Sequence, residues 1–272
     1  MSTFTDLFTQ DFIFNALKVS IVMGSLLSYL GVHVVGRGIV FVDLALGQIS
    51  MLGVAVANYF EKDATLISVI FTMVGAFLLS FIKVKDIRLK QEAIIGIVYA
   101  VASAATVLFI SKAPHGEADI SEVLFGSVFT VTDVQIQTMA IAFGLIGVVH
   151  FIFRKKFFQL TEKFEKHEVE NVGIFDLWNF LFYLSIGLSI VLAVRTAGVI
   201  PVFSYLIIPA VSAVLISKKA SLVVILAMLV SIAGSFFGIF FSTHFDFPAG
   251  SSVVAMLGVI FVVASLVRII RR

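Results

Sequence analysis

Residues 195–219 read RTAGVIPVFSYLIIPAVSAVLISKK, an almost wholly apolar stretch with a charge at each end. It holds two of the chain's four prolines, Pro201 and Pro209, and one glycine, Gly198. Proline inside a helix removes a donor, frees a carbonyl and bends the axis. In a membrane such a break is tolerated where protein or a cavity covers the freed backbone. A plain anchor helix has no need of it. The stretch therefore reads either as a broken segment lining a path or as a kinked helix of a bundle, since proline is frequent in membrane helices.

Working outward, eight further apolar runs cover residues 12–35, 39–60, 65–82, 93–111, 134–153, 177–194, 222–241 and 253–267. Most approach 20 residues, the length that carries a helix across about 30 Å of hydrocarbon. Of the 272 residues, 60% are hydrophobic and 13% charged. A soluble domain has about 45–50% apolar and about 25% charged residues. The chain is thus an all-α polytopic membrane protein, a single transmembrane domain over residues 1–272 with eight or nine crossings. Buried strands would be shorter, and an outer-membrane barrel would alternate with period two. The start, MSTFTDLFTQDF, lacks the basic region of a cleaved signal peptide. There are no cysteines, so disulfides and thiolate metal sites are excluded. The longest charged stretch, residues 154–173, is too short for a soluble enzyme domain.

Basic residues in short loops mark the cytoplasmic side. They are Lys83, Lys85, Arg88 and Lys90, then Arg154, Lys155 and Lys156, then Lys218 and Lys219, and finally Arg268, Arg271 and Arg272. The acidic loops around Glu61–Asp63, His115–Asp119 and His244–Asp246 then fall outside. Nine crossings put the N-terminus outside and the C-terminus inside. Eight result if one broken segment enters and returns. Residues 120–125 read as a short amphipathic or re-entrant helix that Asp119 or Ser121 caps.

Polar residues within the apolar runs are few. An ionised carboxylate in lipid is costly and faces an interior or a cavity. Asp43 either contacts a cation on its route, or pairs with Arg37 or caps its helix at the membrane edge. Gln48 and Ser50 lie deeper and suit hydrogen bonds between helices or to a ligand. His33, near the same turn, is a workable ligand for zinc, manganese or iron. Glu92 suits the positive end of its helix. His115, Glu117 and Asp119 form one external cluster, and His244 with Asp246 a second, either attracting a cation or simply solvated and capping. No Walker motif, zinc-protease motif or nucleotide cradle is present, so any ATP-derived energy comes from a partner. Nothing points to nucleic acid.

Four segments resemble the permease subunit of metal-uptake ABC transporters. These are GRGIVFVDLALGQISMLGVAVA, QEAIIGIVYAVASAATVLFISKAP, the stretch from Arg195 to Lys219 with its IIPA core, and DFPAGSSVV. The resemblance implies a BtuC-like ABC importer permease architecture, a permease homodimer, two cytoplasmic ABC ATPase subunits and an extracytoplasmic metal-binding protein, in a bacterial inner membrane. It implies no cofactor in this chain and a divalent metal ion as substrate, zinc first and manganese or iron next. It places ATPase docking at Pro209, Ala210, Ser212, Ser217, Lys218 and Lys219, with the charged loop of residues 154–170 as the other candidate. Asp43, Gln48, His33 and Asp246 become the expected transient route or outer gate. Two departures stand out. The family's aspartate and histidine of the second helix fall on Leu44 and Gln48, with Asp43 one residue off, and Ala249 replaces a threonine. The rival reading is a secondary transporter, which would need broken helices in matched halves. A purely structural membrane protein would have no ATPase partner.

Overall fold

The computed structural model describes residues 10–82, 89–112, 128–166 and 176–271. Among them are ten α-helices and no strand: α1 (Asp11–Arg37), α2 (Val42–Tyr59), α3 (Ala64–Ser80), α4 (Gln91–Ile110), α5 (Asp133–Ile152), α6 (Arg154–Glu165), α7 (Leu177–Ala197), α8 (Val199–Ile216), α9 (Ala220–Phe245) and α10 (Ala249–Ile270), with a 3-10 turn at Val128–Thr130. Each of the nine apolar runs becomes a helix. Eight are long and apolar enough to cross a membrane. The ninth, α3, has 17 residues, about 25 Å of helix. The expected helix at residues 120–125, the basic residues Lys83, Lys85 and Arg88, the cluster at His115, Glu117 and Asp119, and Arg272 lie outside the described residues.

The organising stretch breaks at a different point from the one its prolines suggest. Gly198 has φ +84° and separates α7 from α8. That backbone region is open to glycine and strained for residues with a Cβ. Pro201 falls in the first turn of α8, where the missing N–H would have had no partner in the helix. Pro209 alone lies in the helix interior. The two prolines therefore leave α8 continuous, and the glycine makes the corner.

Two compact units emerge. The first comprises residues 1–35, 124–148 and 195–272. In it α8, α9 and α10 pack on one another. Gly31 of α1 lies so close to the Leu206 carbonyl that a Cβ has no room there. Pro209 deprives the Tyr205 carbonyl, one turn before it, of its helical partner. The Tyr205 side chain is fixed separately: Tyr205 Oη is 2.6 Å from Ser235 Oγ, which donates to the Ser231 carbonyl at 2.9 Å. A hydroxyl has one proton, so Tyr205 donates to Ser235.

The second unit comprises residues 36–123 and 149–194. Here α3 runs antiparallel to α2, Gly53 lying against Ser68 and Gly75 against Ile49. Asp63 caps α3 by accepting from the Leu66 N–H at 2.6 Å. Glu92 sits in the first turn of α4, as its charge predicts. The long charged loop contains α6, an amphipathic helix of 12 residues. Phe157, Leu160, Thr161 and Phe164 are its buried residues, at the spacing of one helix face. Arg154, Lys155, Lys156 and Lys163 are exposed. Trp178 of α7 packs on Leu160 and Phe164.

Candidate functional site

The turn between α1 and α2 sets the site. Gly38 takes φ +66°, and α2 starts four residues later. Asp43 therefore lies in the first turn of α2, where the helix presents its positive end. It is 3% exposed. Neither carboxylate oxygen makes a hydrogen bond of good geometry among the described residues; the N–H groups of Asp43 and Leu44, at the start of the helix, are the donors beside it. Buried carboxylates without partners are rare because the lost hydration is not replaced.

Arg37, the last residue of α1, is the neighbouring charge, and it is held differently. It is 6% exposed. Its Nε donates to Thr161 Oγ1 at 3.1 Å. One terminal nitrogen donates to Asn179 Oδ1 at 3.1 Å. The guanidinium lies 3.6 Å from the centre of the Phe182 ring and 5.4 Å from that of Phe164. Asn179 in turn donates to the Ser80 carbonyl at 2.8 Å. Of the alternatives for Asp43, pairing with Arg37 shows no hydrogen bond; Arg37 donates to two neutral side chains. The physical reason is geometry: Thr161 and Asn179 meet the flat guanidinium at its edge while Phe182 covers its face.

The remaining expected route residues are dispersed in role. Gln48 is 8% exposed on α2, about 140° round the helix from Asp43. Ser50, buried as well, is seven residues from Asp43 and shares its face. His33 is fully buried, with Nε2 3.1 Å from Tyr29 Oη. Asp246 is exposed. It ends α9 in the left-handed conformation, its N–H bonded to the Ser242 carbonyl, a conformation Asp tolerates better than most residues. Ser242 Oγ also donates to the Phe247 carbonyl at 2.6 Å, which fixes the turn. Among the described residues no group of three or more His, Cys, Asp or Glu side chains is placed to hold a metal ion.

The expected docking set divides by burial. Pro209, Ala210 and Ser212 are buried, with Ala210 in a cluster with Val32, Ala213, Val223 and Ala227. They pack within their own unit. Ser217 is half-buried, and Lys218 and Lys219 are exposed. α6 presents the second exposed basic surface.

One buried arrangement escaped the sequence reading. His150 stacks on Phe157, ring centres 3.9 Å apart and planes 4° apart. Its Nε2 is 3.1 Å from Ser185 Oγ. The histidine at the end of an apolar run was the available signal, but nothing in the sequence links it to position 157 or 185.

A sequence model described as the ABC 3 transport family matches residues 9–268. The chain is 29% identical over 267 residues to the manganese transport system membrane protein MntC of Listeria monocytogenes, covering 96% of this chain and 92% of the relative. It is 26% identical over 261 residues to the probable iron transport system membrane protein of Haemophilus influenzae, covering 95% and 91%. The solved structure of PsaBC from Streptococcus pneumoniae in complex with Fab shares the fold at a TM-score of 0.79 and 24% identity, covering 96% of this chain and 94% of that one. The chain described here is a multi-pass membrane protein that belongs to the ABC 3 transport family.

Proposed function

We propose that the chain is the membrane-embedded subunit of an ATP-driven importer that carries a divalent metal ion from the exterior or periplasm into the cytoplasm. The observation that supports this reading best is the buried carboxylate of Asp43, which makes no side-chain hydrogen bond, in a chain whose relatives are named for metal transport. Those names move manganese and ferrous iron ahead of zinc as substrates. The chain does no covalent chemistry. A separate ATPase supplies the energy and an extracytoplasmic binding protein delivers the ion to a dimer of this chain in the bacterial inner membrane.

In this reading Asp43 lends the ion two oxygens for part of its passage. Such hard ligands suit manganese and ferrous iron. Gln48, in place of the family's histidine, contributes an amide oxygen, which weakens retention and favours release. His33 and Asp246 are the other candidates for the route or its outer gate. Orientation follows the basic residues: Lys218, Lys219, Arg268 and Arg271 face the cytoplasm. The ATPase meets the exposed end of α8 at Ser217 to Lys219, or the basic face of α6.

Uptake into proteoliposomes tests the reading. The chain is reconstituted with its partner ATPase and binding protein, and manganese, ferrous iron and zinc are offered singly with and without ATP. ATP-dependent accumulation of one ion supports it and names the substrate. Accumulation driven by an ion gradient, with no need of ATP or the ATPase, makes the chain a secondary carrier and overturns it.

A further inference from the structure

We propose that a cavity between the ends of α8 and α10 holds the phosphate headgroup of an anionic phospholipid, which belongs to the inner leaflet on the orientation proposed above. The cavity measures about 300 Å³, within the range of small-ligand sites. Lys218, Arg268 and Arg271 line it, and Val214, Ile216 and Val267 supply apolar walls. No carboxylate is among its lining residues. Three cations from two helix ends thus converge on one space with no acidic side chain among the described residues that line it, only the helix C-terminal carbonyls. An anion in that space relieves their mutual repulsion, and a phosphate matches the flat donor edge of arginine.

Depth and surroundings favour lipid over a soluble anion. Arg268 lies about 28 Å along the axis from Ala249, the start of α10. The hydrocarbon layer is about 30 Å thick, so the cations stand where acyl chains give way to headgroups. The flanks are greasy and open: Leu266 is 53%, Ile269 69% and Ile270 83% exposed. A soluble anion or an acidic protein surface would leave these side chains in water, whereas acyl chains cover them. Basic pockets between helices on the cytoplasmic side are the expected geometry for anionic headgroups.

The test uses the full chain in an uncharged detergent. Native mass spectrometry reads retention of phosphatidylglycerol against phosphatidylcholine. The wild type retains phosphatidylglycerol preferentially, and the triple variant K218Q/R268Q/R271Q lowers that retention about tenfold or more. The charge-conserving variant K218R/R268K/R271K restores preferential retention. If the triple variant fails to fold, Arg271→Gln alone, at an exposed position, lowers retention by a smaller factor.

Equal retention by wild type and a folded glutamine variant overturns the proposal. So does displacement of phosphatidylglycerol by inorganic phosphate, which would mark a free-anion site. Unchanged lipid retention with lost co-purification of the ATPase assigns the cations to that partner and also overturns it. Sidedness is read separately. The chain has no cysteine, so Lys219→Cys can be labelled uniquely with a membrane-impermeant maleimide. Labelling from outside overturns the orientation, while cation-dependent lipid retention in the same vesicles still supports the headgroup site.

Discussion

Arg37 and Asp43 are both buried and stand six positions apart, yet their surroundings are opposite. Arg37 has hydrogen bonds to Thr161 and Asn179 and an aromatic ring on its face. Asp43 makes no side-chain hydrogen bond through either oxygen. A buried charge with Nε and one terminal nitrogen bonded and its face covered holds structure together. A buried carboxyl with few donors costs stability, whether it is ionised or protonated. Arg37 is thus part of the scaffold, and the transport role proposed for Asp43 is what the variants below test.

The sharpest way to break this assignment is at the arginine. Arg37→Ala removes two charge-assisted hydrogen bonds and the contact with Phe182, and should cost about 3 kcal/mol or more. Thermal unfolding in detergent and protein level in the membrane would both fall. A variant as stable as the wild type would show that the clamp is not structural. Asn179→Ala should come next, at about 2 kcal/mol, because it strips an acceptor from Arg37 and a donor from the Ser80 carbonyl. Combined with Arg37→Ala, its effect should be far from additive, since the two side chains share one network.

The carboxylate should behave in the opposite manner. Asp43→Asn should change stability by no more than about 1 kcal/mol, in either direction, because the amide has the same shape and no side-chain partner is lost. Metal uptake should nevertheless collapse. Normal uptake by Asp43→Ala, by Gln48→Ala and by the double variant, each at normal protein level, would end the proposed role of both residues.

An exposed pair gives the smallest effect and the baseline for the others. Lys166 donates to Glu162 at 2.6 Å on α6 and holds its carboxyl below the usual range. Because the folded value is depressed, the bond contributes above the ordinary carboxylate range and is lost as pH falls through the lowered value. Both side chains are 56% exposed, so solvent screens the pair. Glu162→Gln should therefore leave the melting temperature unchanged at neutral pH, and acidification should not separate the two proteins further. A clear drop would mean that α6 depends on this bond more than on the buried face of Phe157, Leu160 and Phe164.

Much of the site was legible before the fold. Asp43, Gln48 and Ser50 attracted notice because each interrupts an apolar run, and burying them has a cost that composition makes visible. Their partners were not legible. Arg37 meets Thr161 and Asn179 at separations of 124 and 142 residues, and neither type is unusual at its position. The docking stretch shows the same limit. Pro209, Ala210 and Ser212 share a segment with Lys218 and Lys219, but only burial separates those that pack from those that face outward.

The sequence by itself determined the class of the molecule. Apolar runs of spanning length, few charges and basic short loops leave helices as the structure that satisfies its own backbone in lipid. It also determined where the helices lie, because hydrophobic runs and their polar ends are local properties. Only the tertiary structure decided that Gly198 rather than a proline makes the corner, that Arg37 bonds to two neutral side chains, and that Asp43 makes no side-chain hydrogen bond. Each of these depends on which distant groups arrive at a given backbone position. That is a matter of packing in three dimensions, and no local pattern encodes it.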